Sequence, residues 1–361
     1  MRRRERQLAT LCSVLLVAGV SAVVLLTGAA TKRGSEARVV DHASGAVSGC
    51  FATPGACGFP DPAYGNVGPS SRCSSLRASG TIISTSSGQT IEDRDVSGQI
   101  IIQNPKVTVR DVCVTYDGHA RLNSTAVQLT RSATDALIED SDIAGANAAT
   151  GSVEQAVSNF GAAGAVLDHD YISNCGECVH DEPWVVENTY VLANGMLGTG
   201  DHMEPLYVND GTLVAQHDTL LLPPSTNPQV AVVFGNVNDG NGGRCSNHIT
   251  VADSLLAGGG FSIELCAHAT SVGTSTMDIS ADRFARCIKR PVIYDASTGG
   301  TACSGYRGGP ETLADAGRDP SGYWPLGGYY GYDAGVYCPP VPGQTWTGNV
   351  WDDNGASIGC R

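Results

Sequence analysis

Val107 to Gly118 reads VTVRDVCVTYDG, and six later stretches repeat its pattern in register: ALIEDSDIAGAN from Ala136, AVLDHDYISNCG from Ala165, WVVENTYVLANG from Trp184, LVAQHDTLLLPP from Leu213, HITVADSLLAGG from His248 and MDISADRFARCI from Met277. One column reads Val109, Ile138, Leu167, Val186, Ala215, Thr250 and Ile279; a second, five residues on, reads Val114, Ile143, Ile172, Val191, Leu220, Leu255 and Phe284. Thirteen of these fourteen are apolar. The starts lie 29, 29, 19, 29, 35 and 29 residues apart, a period that marks a repeat array. Each unit is a set of short β-branched and aliphatic runs broken by Asp, Asn and Gly, with no ten-residue stretch of helical period, so the units are strands and turns. Leucine-rich repeats need a tighter spacing than these columns show, and a propeller blade needs about 40 residues or more. The expected fold is all-β, a parallel β-helix with one coil per repeat.

QTIEDRDVSG, Gln89 to Gly98, fits 18 residues ahead of the lead repeat as a shorter first turn. Between the lead segments runs a second family of strands, TAVQL, QAVSN, ECVHD, EPLYV, VAVVF and FSIEL, aligned on Val127, Val157, Val179, Leu206, Val232 and Ile263. Strand alternation then turns Gln128, Ser158, His180, Tyr207, Val233 and Glu264 to the opposite, outer side, at a rung spacing of about 4.8 Å.

The ends differ from the middle. Residues 1–33 carry Arg2, Arg3, Arg4 and Arg6 ahead of an apolar run from Leu8 to Ala30. That run is long enough to span a bilayer, while Gly28-Ala29-Ala30 is an acceptable cleavage site, so signal peptide and membrane anchor both stay open. Residues 34–80 read as a linker and a disulfide-stapled N-terminal cap, rich in Pro, Gly and Cys, expected to cover the edge of the first coil. The β-helix is expected over 81–290. A Gly/Tyr/Pro-rich C-terminal cap follows over 291–361, and its TWTGNVWDDNG piece from Thr345 reads as a last coil.

A formal charge of −14 argues against a nucleic-acid partner. Of the 13 cysteines, Cys12 lies in the export segment; the other twelve suit disulfides in an extracellular, oxidising compartment. Cys50 with Cys57, Cys287 with Cys303 and Cys338 with Cys360 are the local pairs to expect first. Cys175-Gly-Glu-Cys178 has the spacing of a redox or metal site, but it sits at a repeat turn without a second such pair, which favours a structural role.

The repeat, the CGFPDPAYGNVGP entry segment, NCGECVHD, GDHMEPLYVNDG and VAVVFGN resemble secreted bacterial members of the pectin-lyase-like superfamily over roughly 50–288. The resemblance implies a right-handed parallel β-helix and a polysaccharide or cell-surface glycan lying along an outer groove. It does not fix an activity, because function lives in sites grafted on the fold. The expectation is a monomer that meets a membrane only through its N-terminal segment.

The strongest constellation is His180, Asp181 and Glu182 on one rung with Asp201, His202, Glu204, Tyr207 and Asp210 around the next. β-Elimination from a uronate needs a base for the C5 proton and an acid for the leaving oxygen; His180 is the expected base and Tyr207 the expected acid, with Gln128, Ser158 and Glu264 along the substrate. Asp181, Asp201, Glu204 and Asp210 could hold Ca²⁺, which would bridge an acidic protein to an anionic substrate. Hydrolysis is the rival chemistry, with Asp181 and Asp201 or Glu204 as its carboxylate pair. The third reading is a non-catalytic, adhesin-like solenoid that binds glycan. A zinc site from His180, His202 and Glu204 lacks supporting spacing. NVNDGNGG, from Asn236, reads as a tight turn without the bidentate Glu of a calcium loop, and RCIKRP, from Arg286, is too short to assign. His169 and His217 share the turn column of Asp111, Asp140 and Asn188, two rungs apart, which points to a stacked polar ladder.

Overall fold

The computed structural model describes residues 49–195, 203–209, 211–222, 231–236, 244–258, 261–265, 271–272, 274–285, 344–352 and 354–358. The ladders joining successive coils are parallel, and the chain is a parallel β-helix. Two strands of each coil belong to a long sheet, and a third belongs to a separate eight-stranded sheet. The inward residues stack in the expected columns: Val109 on Ile138, Leu167 and Val186 in one, Val114 on Ile143, Ile172 and Val191 in the other. All are essentially buried, and each such aliphatic side chain contributes about 1.5–3 kcal/mol by leaving water. Ile91 pairs with Val109, so Gln89 to Gly98 is the shorter turn the spacing suggests, and the coils begin with the strand Arg77–Ser79.

Two registers differ from the sequence alignment. Ala215 pairs with Val251 and Leu220 with Leu256, so Val251 and Leu256, not Thr250 and Leu255, stand in the long-sheet columns. In the short sheet Leu206 pairs with Val233 and Val233 with Ile263; Val233 therefore takes the inward place given to Val232, and Phe234 the outward place given to Val233. The cause is the same in both. Leu255-Leu256 and Val232-Val233 are apolar at both parities of the strand, and hydrophobic alternation cannot choose a register where both faces are apolar.

Where the two long-sheet strands of a coil meet, the chain turns through a left-handed residue: Asp140 (φ 49°), His169 (59°), Asn188 (51°), His217 (57°) and Asp253 (49°). Asp, Asn and His are the non-glycine residues that tolerate this conformation best. The residue after each turn points inward and builds a second, buried ladder. The Val112 N–H donates to Ser141 Oγ (3.4 Å), Ser141 N–H to Asp170 Oδ1 (2.8 Å), Asp170 N–H to Thr189 Oγ1 (3.3 Å), Thr189 N–H to Asp218 Oδ1 (2.8 Å), Asp218 N–H to Ser254 Oγ (3.0 Å), Ser254 N–H to Asp282 Oδ1 (2.8 Å) and Asp282 N–H to Asn349 Oδ1 (2.9 Å). Hydroxyl and carboxyl alternate from Ser141 to Asp282. Each hydroxyl also donates to the carbonyl two residues before it, while Oδ2 of Asp170, Asp218 and Asp282 has no hydrogen-bond partner among the described residues. Burial pushes Asp170 and Asp218 far above the ordinary carboxylate range and Asp282 up to about 8.

From Gly49 the N-terminal segment runs as a strap along the outer side of the long sheet, from the last described coil back towards the first, where Arg77–Ser79 pairs with Thr90–Ser97. Asp352 accepts the N–H groups of Cys50 and Phe51, each at 2.9 Å, and also Arg283 Nε at 2.8 Å. Midway, Thr219 Oγ1 donates to Pro60 O (2.8 Å), and Phe59 stacks on His217 with ring centroids 5.4 Å apart. Further on, Gly68 N–H donates to His169 O (2.8 Å), Ser70 bonds Asp111, and Cys73 is disulfide-bonded to Cys113. Beneath the strap lie outward apolar residues: Leu255 packs with Cys50 and Phe59, and Phe51 sits against the cluster of Leu192, Leu221, Ala257 and Ala285. These second strands therefore carry apolar residues on both faces, one for the core and one for the strap.

Cys50–Cys57 forms as expected. Cys175 and Cys178 form a disulfide, and Cys245 is disulfide-bonded. The pairs expected at Cys287–Cys303 and Cys338–Cys360 lie outside the described residues, as does the export segment. Among the described residues no helix is long and apolar enough to cross a membrane. Thr345–Thr347 and Val350–Trp351 add the last coil onto Asp278–Ser280 and Arg283–Phe284.

Candidate functional site

The outer stripe of the short sheet runs Gln128, Ser158, His180, Tyr207, Phe234 and Glu264. His180 and Tyr207, on adjacent strands Glu177–Glu182 and Glu204–Asn209, are stacked face to face with centroids 4.6 Å apart and planes 9° apart. Tyr207 in turn lies 5.5 Å from the ring of buried Phe234. An aromatic run thus crosses three rungs.

His180 is held from every side. Its Nε2 lies 2.8 Å from Glu177 Oε2, its Nδ1 lies 3.0 Å from Asp181 Oδ2, and its carbonyl accepts the indole N–H of Trp184 at 3.1 Å. Asp181 has a φ of 58°; this left-handed turn brings its carboxylate back onto His180 and onto the hydroxyl of Ser158, 3.1 Å away. Only 14% of the His180 side chain is exposed. Burial alone would strip its proton, but the Asp181 and Glu177 carboxylates at contact distance override that and push it up to about 10. At neutral pH His180 is an imidazolium, and it is the only cationic side chain in the stripe.

Among the other expected residues, Gln128 and Glu264 are half-buried at the two ends of the stripe. Ser158 is fully buried and committed to Asp181, so it does not line an open groove. Glu204 is fully buried, on the rung beside Glu177. Glu182 packs over Gly211, where an added Cβ would sit 1.6 Å from Glu182 Cγ, and accepts the Asn209 N–H at 2.9 Å. Asp201, His202 and Asp210 lie outside the described residues, as do nearly all of the loop after Asn236 and the RCIKRP piece. Of the four expected calcium ligands, then, Asp181 is occupied by His180 and Ser158, and Glu204 is buried. Among the described residues one group of three metal-ligand side chains converges, Cys73, Cys113 and Asp142, and its two cysteines are a disulfide.

The histidines of the turn column are architectural. His169 pairs with Asp168 at 2.7 Å, and His217 bridges Asp253 and Gly58 O, each at 3.0 Å. Glu177 is the site residue that sequence reading passed over. Its only signal was its place inside the Cys-Gly-Glu-Cys ring.

Protein-family models, curated proteins and solved structures were all compared with this chain, and none matched.

Proposed function

We propose that this chain is an extracellular carbohydrate-active β-helix protein, and that the face around His180 and Tyr207 cleaves a polyuronate by β-elimination. The observation that carries this reading is the stacked His180–Tyr207 pair, two proton-carrying side chains on adjacent rungs of one outer face. The resemblance of the repeat and entry segment to the pectin-lyase-like superfamily supports the same substrate class. The charge state reverses the roles expected from sequence. As an imidazolium, His180 is the acid, which leaves the base's role to Tyr207, able to fill it only once deprotonated. The base takes the C5 proton, the C4–O bond breaks as the C4–C5 double bond forms, and the leaving oxygen takes the proton from His180.

A screen of the purified extracellular part against polyuronates, reading the absorbance of the unsaturated product with and without chelator, tests the reaction and whether it needs the Ca²⁺ expected from sequence. On a substrate that is turned over, His180→Ala should lower the rate by about two to four orders of magnitude. The rate should fall as pH passes the His180 value of about 10. A rate that instead rises through the ordinary histidine range, near pH 6.5, would return His180 to the role of base. Full activity in both His180→Ala and Tyr207→Phe would move the chemistry to a carboxylate pair and hydrolysis.

The engagement of both His180 ring nitrogens by carboxylates favours a second reading, a non-catalytic glycan-binding solenoid. Glycan binding without turnover would establish it.

A further inference from the structure

Glu177 and His180 are three residues apart on one strand, and a regular strand turns such side chains to opposite faces. Yet Glu177 Oε2 is 2.8 Å from His180 Nε2. The strand must therefore depart from regular geometry at its start, where the Cys175–Cys178 disulfide closes a ring of four residues around Gly176 and Glu177. The ring is clamped by both neighbouring coils. Gly176 N–H reaches Val153 O at 3.0 Å, and Gly176 O accepts the Glu204 N–H at 3.0 Å. On the far side Gly195 N–H donates to Cys175 O at 2.9 Å, an approach so close that a Cβ on Gly195 would meet the Cys175 carbonyl carbon at 2.7 Å. Both sulfurs are fully buried within the core.

Chain entropy is a weak reason for this bridge. Its cysteines are 3 positions apart in sequence, against 7 for Cys50–Cys57 and 40 for Cys73–Cys113, and the constraint on the unfolded chain grows with loop length. The ring's effect is local.

We propose that the Cys175–Cys178 disulfide is a positioning clamp for the His180 face, forcing the Glu177 carboxylate onto His180 Nε2. Cys175 and Cys178 are thus positioning residues that act through Glu177. The inference rests on reading the His180 face as the functional site, but the contact it concerns exists whether or not a glycan is turned over. Among the described residues the ionisable groups beside His180 are Glu177 and Asp181 on its own strand and Tyr207 on the next, where Glu204 pairs with Glu177; from the preceding strand Ser158 contributes a neutral hydroxyl to Asp181. Of these, Glu177 is the one the ring controls.

The test is the titration of the His180 ring, followed by NMR in the secreted part of the chain and assigned with His180→Ala. In C175S/C178S, His180 should bind its proton at least tenfold more weakly than in the wild type, and Glu177→Gln, with the disulfide intact, should show a loss of the same sign. C50S/C57S, which removes the disulfide at the start of the strap, should leave His180 unchanged. An unaltered His180 titration in folded C175S/C178S overturns the clamp. So does an unaltered titration in Glu177→Gln, which keeps the test decisive if the cysteine variant does not fold. An equal drop in C50S/C57S also overturns it, since the effect would then be general loosening. A weakened His180 proton together with no turnover of any polyuronate leaves the clamp standing and removes the lyase reading alone.

Discussion

Two regions of this molecule bury ionisable groups, and they treat them in opposite ways. In the ladder behind the turns, Asp170, Asp218 and Asp282 meet backbone N–H donors at one oxygen and no partner among the described residues at the other; burial dominates, and each is held protonated and neutral. On the outer face, His180 is also largely buried, but carboxylates flank both ring nitrogens, and it is held protonated and charged. Burial sets the default towards the neutral form, and ionic partners at contact distance reverse it. Both regions retain a proton that the unfolded chain would release.

The sharpest break of this comparison uses the same residue type two positions away from a natural one. Asp170 is tolerated because it accepts the Ser141 N–H; Ile172, in the apolar column, has no such donor facing it. Ile172→Asp should abolish folding, since an unpaired buried charge costs far more than lost packing. Circular dichroism of the purified variant would show this, and a folded Ile172→Asp would mean that the ladder aspartates owe nothing to their hydrogen bonds.

Next in size is the pH dependence of stability. A group whose folded pKa lies above its unfolded value stabilises the fold fully below the unfolded value and loses that contribution as pH rises through the folded one. For Asp282, moved from 3.8 to about 8, the stability lost across that window is on the order of 5 kcal/mol. His180, moved from 6.5 to about 10, continues the decline at higher pH. Urea midpoints should therefore fall from about pH 4 upwards; in His180→Asn the upper part of the decline should flatten and the lower part persist. Midpoints that rise over pH 4 to 8 would show the ladder carboxyls to be ionised.

The smallest effect separates hydrogen bonding from charge within the ladder. Asp218→Ala strands the buried Thr189 N–H and should cost about 1–3 kcal/mol. Asp218→Asn keeps the Oδ1 acceptor, should cost less, and should make the pH slope shallower. An Asn variant as unstable as the Ala variant would mean that the carboxylic proton itself is bonded.

Much of this was legible in the residues. The columns headed by Val109 and Val114 stack as read, because apolar residues at a fixed offset from Asp or Asn turns define a coil wherever the opposite face is polar. The reading slipped at Leu255-Leu256 and Val232-Val233, where both parities are apolar; Thr250, the one polar member of its column, marked the slip. The adjacency of His180 and Tyr207 was also legible, since even steps along paired strands keep a face. The part of Glu177 was not, because it depends on a departure from strand geometry that alternation does not describe.

The residues alone carry the repeat, the stapling of the N-terminal segment, and the inward columns and outer stripe wherever one face of the strand is polar, since each is a periodic consequence of local chemistry. Only the tertiary structure decided the course of the strap from Asp352 to Cys113, the neutrality of the ladder aspartates and the charge on His180. The physical reason is common to the three. Each depends on which groups from distant parts of the chain arrive within hydrogen-bonding distance, and neither composition nor period carries that information.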